Sequence, residues 1–214
     1  MSLDRAAIIL AGGGSRRFGS DKGLVKLANK PLVLHVLERI QDIVDETIVC
    51  VRSENQLSLY SQVISNKSKI FIDPENLPEC PLTGAMTGFM NAHSEYSVVL
   101  PCDTPFISRE VIDLLFDVAI NVDAAIPRWP NDYIEPLHAV YRTRTAFEAS
   151  RKALERGEKR MLSMISMLKS VRYLSTIVIQ EIDPKMLTFF NINTPLDLRK
   201  AEAIIRNRSF LSDE

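Results

Sequence analysis

Residues 7–23 read AIILAGGGSRRFGSDKG: an apolar run, Ala7 to Leu10, opens into three glycines, two arginines and, after Gly19, an Asp-Lys-Gly triplet. Gly12, Gly13 and Gly14 carry no Cβ, so the backbone can take positive φ and a ligand can come close. Amides in such a run can point inward and form an anion-binding concavity. Arg16, Arg17 and Lys22 add three positive charges within seven residues. Together these features suit the holding of a polyphosphate. The run is not a P-loop, which needs Ser or Thr where Gly23 follows Lys22, and it misses the GxGxxG spacing of a dinucleotide fingerprint.

Asp103 is the counterpart of that loop. It follows Leu100, Pro101 and Cys102 at the end of a second apolar run. A carboxylate there, facing a cationic phosphate loop, suits Mg²⁺, which binds through one or two carboxylates plus phosphate oxygens and keeps several waters. Alone, Asp103 reads equally as the cap of a turn before Thr104 and Pro105. Lys22 is a compact charge able to reach a phosphate or a leaving pyrophosphate. Asp21 braces Lys22, caps the next turn, or does neither. Asp73, at another strand end, contacts a ribose or simply stops the strand. Asn191 and Asn193 bracket Ile192; in an extended segment they share a face, where their amides bind substrate or only end the strand and support Thr194. Arg160 belongs to a solvated helix start or touches an anionic substrate. His35, His93 and His138 are scattered, no His/Cys spacing suits zinc, and Cys102 reads as a small buried filler.

The elements that must position these groups alternate. Strands are expected at residues 7–10, 46–51, 69–73 and 96–100. Helices are expected from Pro31 to Gln41, Glu54 to Ile64 and Pro81 to Ala92, and from an N-cap at Ser108 to Ile120. Gly84 and Gly88 lie on one face of the third helix, which implies a close approach there. A βα order of this kind predicts a mostly parallel, twisted sheet with helices on both faces. Its ligands gather at the carboxyl ends of the strands, where the loops after Leu10 and Leu100 both emerge. The second half is less regular: strands at DAAIPR and EPLHAVY, helices over 143–155 and 160–168, short strands at 171–174, 177–179 and 189–192, and a last helix from Pro195 through Arg206, capped by Thr194.

Among 214 residues, 46% are hydrophobic, ample for a full core, and 26 basic residues nearly balance 27 acidic ones. That balance gives no global field for nucleic acid or membrane. Cys50, Cys80 and Cys102 are odd in number and widely spaced, which predicts reduced thiols in a cytoplasmic protein. No run approaches a membrane span, and no signal peptide is read at the N-terminus.

LAGGGSRRFGSDKG (10–23) resembles the nucleotidyltransferases that carry LAGG-x-S-x-R-hydrophobic-G-x-D-K, with Phe18 where Met is frequent. PLTG (81–84), PCDTPF (101–106), EPLHAVY (135–141) and FFNINTP (189–195) follow in the order of the molybdenum cofactor guanylyltransferase family, so the resemblance spans about residues 5 to 206. Cys80 precedes Pro81 where that family often has Gly. The resemblance implies an α/β chain, a Rossmann-like three-layer α/β/α nucleotidyltransferase fold in one domain over residues 1–206. Its nucleotide-binding half would be 1–125 and its acceptor-binding half 126–206, with 207–214 as a tail. It further implies GTP over Leu10, Ala11, Gly12, Gly13, Gly14 and Ser15, contacts from Lys22, Asp73 and Asp103, and Mg²⁺ on Asp103. Lys22, Asp103 and Arg17 would be the catalytic groups. The acceptor, molybdopterin or molybdenum cofactor, would lie along Gly84, Arg160, Asn191 and Asn193. Its terminal phosphate would attack the α-phosphorus and expel pyrophosphate. Such a nucleophile is already ionised and needs no base; the obstacle is repulsion between anions, which cations and backbone dipoles offset. Cofactor-delivery proteins and receiving molybdoenzymes are the implied partners. The alternatives are cytidylyl transfer to the same acceptor, transfer to a sugar, phospholactate or cobinamide phosphate, and a silent nucleotide-binding regulator, against which the intact Lys22 and Asp103 argue.

Overall fold

β1 (Arg5–Leu10) is buried on both faces: Ala6, Ala7, Ile8 and Ile9 are wholly inaccessible. Such a strand belongs at the centre of a sheet covered by helices on each side, and that is where it lies. The computed structural model describes residues 4–12, 14–15 and 20–212. Six further strands join β1 in one sheet: β2 (Glu46–Val51), β3 (Ser68–Ile72), β4 (Tyr96–Pro101), β5 (Ala124–Arg128), β6 (Ala139–Arg142) and β7 (Val171–Ser175). Their order is β7-β5-β6-β4-β1-β2-β3. β4, β1, β2 and β3 are mutually parallel, as are β5 and β7, while β6 runs against both β4 and β5.

Successive residues of β1 point to opposite faces. Ala7 and Ile9 pack with α1 (Leu32–Ile40), α4 (Arg109–Ala119) and Tyr60 of α2 (Glu54–Ser61). Ile8 packs with α3 (Pro81–Asn91), α5 (Thr143–Glu155) and α6 (Met161–Ile165). The result is the expected three-layer α/β/α arrangement. α7 (Thr176–Ile182) follows β7, and α8 (Pro195–Ser212) covers a smaller cluster of Leu27, Leu32, Phe106, Leu187 and Ile192. Ser108 caps α4 by accepting from Val111 N at 3.3 Å. Thr194 caps α8: its Oγ1 accepts from Asp197 N at 3.2 Å, and Asp197 Oδ2 accepts in return from Thr194 N at 2.9 Å.

Several expectations are corrected. The segment around Ile177–Ile179 is helix α7, not a strand, because Ser175 accepts from Ile177 N at 3.3 Å and starts a helix. Residues 189–192 form no strand; Leu187–Phe189 is a single 3-10 turn, and Ile192 N donates to Asp103 O at 3.0 Å instead of joining a ladder. EPLHAVY is extended only from Ala139, since His138 N turns back to Glu135 O at 3.1 Å. The close approach at Gly84 and Gly88 is β1 itself: a Cβ on Gly88 would run into the Ile8 side chain, and one on Gly84 would meet Leu10 Cδ2 at 3.2 Å.

The chain builds outward from β1 through β2 to β3, then returns to place β4 on the other side of β1. The topological switch point therefore lies between β1 and β4, the place where open α/β sheets bind ligands. Among the described residues, no helix is long and apolar enough to cross a membrane.

Candidate active site

Beyond the carboxyl ends of β1 and β4 the chain opens a cavity of about 370 Å³. Leu10, Gly12, Lys22, Asp73, Gly84 and Asp103 all line it, together with Cys50, Glu79, Cys80, Pro81, Pro101, Cys102 and Leu137. Backbone bonds fix the rim: Ala11 N donates to Cys50 O at 2.8 Å, Cys102 N to Leu10 O at 3.2 Å, and Asp73 N to Val51 O at 2.8 Å. α3 directs its N-terminal turn at the cavity, so the positive end of its dipole faces any anion there.

Asp103 and Lys22 meet across this space in an ion pair through Asp103 Oδ2. The pair is largely withdrawn from water, with side-chain exposures of 19% for Lys22 and 8% for Asp103. Lys22 Nζ also donates to Asn193 Oδ1 at 2.6 Å. An ammonium has three donors, so a third can serve a phosphate oxygen. Asp103 Oδ1 is buried and has no hydrogen-bond partner among the described residues, and the same is true of Asp73 Oδ1. Orphaned carboxylate oxygens in a polar cavity are costly and suit a cation or a hydroxyl donor. Burial pushes the Asp73 carboxyl above its ordinary range, against the opposing Thr87 hydroxyl and Arg52 guanidinium. Burial also pushes the Cys102 thiol up, with the Asp103 charge adding to it. Cys102 is thus the inert filler that the sequence suggested, and not a nucleophile.

The remaining expected site residues divide. Within the Gly-rich segment, Gly14–Ser15 pairs antiparallel with Ser20–Asp21. Gly12 does not occupy the left-handed region that the triplet of glycines suggested. Gly13, Arg16 and Arg17 lie outside the described residues. Ala11 is fully buried in the core, so its side chain is withdrawn from the cavity. Asn193 reaches Lys22, but Asn191 turns back: its Nδ2 donates to Phe189 O at 3.2 Å. The two do not act as a pair, because the segment is not an extended strand. Arg160 is exposed at the start of α6 and is not among the groups lining the cavity.

Asp21 caps the turn that carries Lys22, one of the roles the sequence offered, but sequence reasoning missed its partners on α2. Asp21 Oδ1 accepts from Tyr60 Oη at 2.5 Å and from Gly23 N at 3.2 Å, and Asp21 Oδ2 accepts from Gln56 Nε2. It also missed Glu79, which has no local signal, and did not single out Leu137 within EPLHAVY as a cavity residue.

The MobA-like NTP transferase domain family matches residues 7–171. A protein of Methanosarcina mazei named probable molybdenum cofactor guanylyltransferase is 38% identical over 91% of this chain and 88% of its own. One of Desulfosudis oleivorans named molybdenum cofactor guanylyltransferase is 30% identical, covering 93% and 95%. The crystal structure of molybdopterin-guanine dinucleotide biosynthesis protein A from Archaeoglobus fulgidus superposes with a TM-score of 0.80 at 30% identity, covering 95% of this chain and 99% of that one.

Proposed function

The chain belongs to the MobA-like NTP transferase family, and from that premise we propose that it transfers GMP from GTP to molybdopterin, or to the molybdenum cofactor, and releases pyrophosphate. The observation that carries this reading is the Lys22–Asp103 pair lining a cavity at the switch point between β1 and β4.

The triphosphate lies along the Gly-rich segment, and Lys22 donates to it while keeping Asp103 and Asn193 as partners. Asp103, through the unpartnered Oδ1, is the residue that would hold Mg²⁺, and the ion would supply electrostatic stabilisation of the phosphate charge. Asp73 Oδ1 accepts from a ribose hydroxyl, and the base rests against Leu10 and Gly12. Lys22 neutralises charge as pyrophosphate departs, a role that preorganised cations fill without reorganisation. No general base is needed, since the attacking phosphate is ionised. The cavity wall suits this: Cys102 stays a thiol.

Asn193 faces the acceptor, with residues 126–206 forming the acceptor half and residues 1–125 the nucleotide half. The protein works in the cytoplasm, as its free thiols suit, and receives from and hands on to other proteins of molybdenum cofactor handling.

A thermal-shift panel tests the nucleotide. GTP with Mg²⁺ at 100 times its dissociation constant should stabilise the fold by about 2.7 kcal/mol. For a chain of this size that corresponds to a rise of roughly 5–10 °C. CTP should give little. An equal rise with CTP would overturn the base assignment.

A further inference from the structure

We propose that Asp21, Tyr60 and Gln56 form a buried anchor that sets the position of Lys22 and so acts on turnover through that lysine. The inference rests on the nucleotidyl-transfer reading, and it assigns these three as positioning residues.

Tyr60 and Gln56 lie one turn apart on α2, so a single helix face presents both donors. Both converge on the carboxylate of Asp21, which also takes Gly23 N. Tyr60 is fully buried among core residues, so its hydroxyl cannot drift. Burial pushes its phenol upward, which keeps it a neutral donor at working pH. The residue after the lysine is fixed as well: a Cβ on Gly23 would collide with Tyr60 Oη and lie 3.2 Å from Cys102 Sγ. Lys22 thus sits between two immobilised neighbours in the 3-10 turn Lys22–Leu24.

The anchor extends across the cavity. Gln56 Oε1 accepts from Arg52 N at 2.6 Å. The Arg52 guanidinium donates to Pro74 O at 3.0 Å and Leu77 O at 2.9 Å, the carbonyls that follow Asp73. One continuous set of hydrogen bonds therefore ties the Lys22 turn to the loop carrying Asp73. A turn cap alone would need only the Gly23 amide; the two further donors from α2 give Asp21 a fixed place relative to the sheet.

The test uses Tyr60→Phe, which keeps the ring and removes the hydroxyl, and Asp21→Asn beside it. In GMP transfer from GTP to molybdopterin with Mg²⁺, kcat should fall about 10–100-fold, the scale of loss that a misplacement near 1 Å produces, while KM for GTP and Tm stay close to wild type. In a Lys22→Ala background, Tyr60→Phe should cost nothing further. Wild-type kcat in Tyr60→Phe, or the same loss with Lys22 absent, overturns the anchor and leaves nucleotidyl transfer standing. Hydrogen exchange at residues 20–25 separates the two ideas. A wild type that transfers no GMP defeats the reaction, whereas the anchor is still read from exchange: faster at Gly23 in Tyr60→Phe supports it, and unchanged exchange overturns it.

Discussion

His138 is buried against the Phe189 ring, centroids 5.2 Å apart, and neither ring nitrogen has a hydrogen-bond partner among the described residues. Burial therefore pushes its pKa from 6.5 down to about 3. Between those values the unfolded chain binds a proton that the folded chain refuses. Stability must then fall as pH falls from 6.5 towards 3, by up to about 1.4 kcal/mol per pH unit. Urea unfolding at pH 6.5 and pH 5 should show that roughly 1.6 kcal/mol of the wild-type loss disappears in His138→Leu. A variant that keeps the full loss would clear His138 of responsibility. Residues of this kind were hard to read from sequence, as were Tyr60 and the partner that Asn193 would find. Their partners lie far along the chain: Asn193 meets Lys22 from 171 residues away, and Tyr60 meets Asp21 from 39. Asp103 was legible because it closely follows a buried run, where the chain must turn at the sheet edge, and Lys22 because it is a cation in the Gly-rich segment that follows β1.

At the scale of elements, periodicity was most reliable where one face is buried. α1, α4 and α5 carry strong apolar stripes and appear within a residue or two of expectation. The run TIVIQEI carries no such stripe, and its β-branched residues suggested a strand; the Ser175 cap and packing of Ile179 into the core decided for helix. β6 was expected, but its reversed direction was not, since direction depends on the connection and not on side-chain alternation. The Gly84–Gly88 face marked close packing without saying against what. Because that partner is β1, Gly88→Ala should drive a methyl into Ile8 and destabilise by about 1–3 kcal/mol, the usual cost of overpacking. Chemical denaturation reads this directly, and a neutral result would contradict the packing of α3 on β1.

For the molecule as a whole, a parallel core opens at one switch point, and two loops far apart in sequence meet there as a cation and a carboxylate. The C-terminal segment closes the arrangement: Ile192 N donates to Asp103 O, which brings Asn193 to Lys22. The layering was legible because βα alternation restricts the topology; the segment 189–195 was marked as part of the site, but its contacts with Asp103 and Lys22 were not legible, because they depend on a long return of the chain. The central claim is that this cavity moves a nucleotidyl group, and transfer of label is its most direct measurement. With α-phosphate-labelled GTP, molybdopterin and Mg²⁺, wild-type protein should place the label on the acceptor with matching release of pyrophosphate, and folded Asp103→Ala should place none. Label transfer by Asp103→Ala at the wild-type rate, or label never leaving GTP in the wild type, would contradict it.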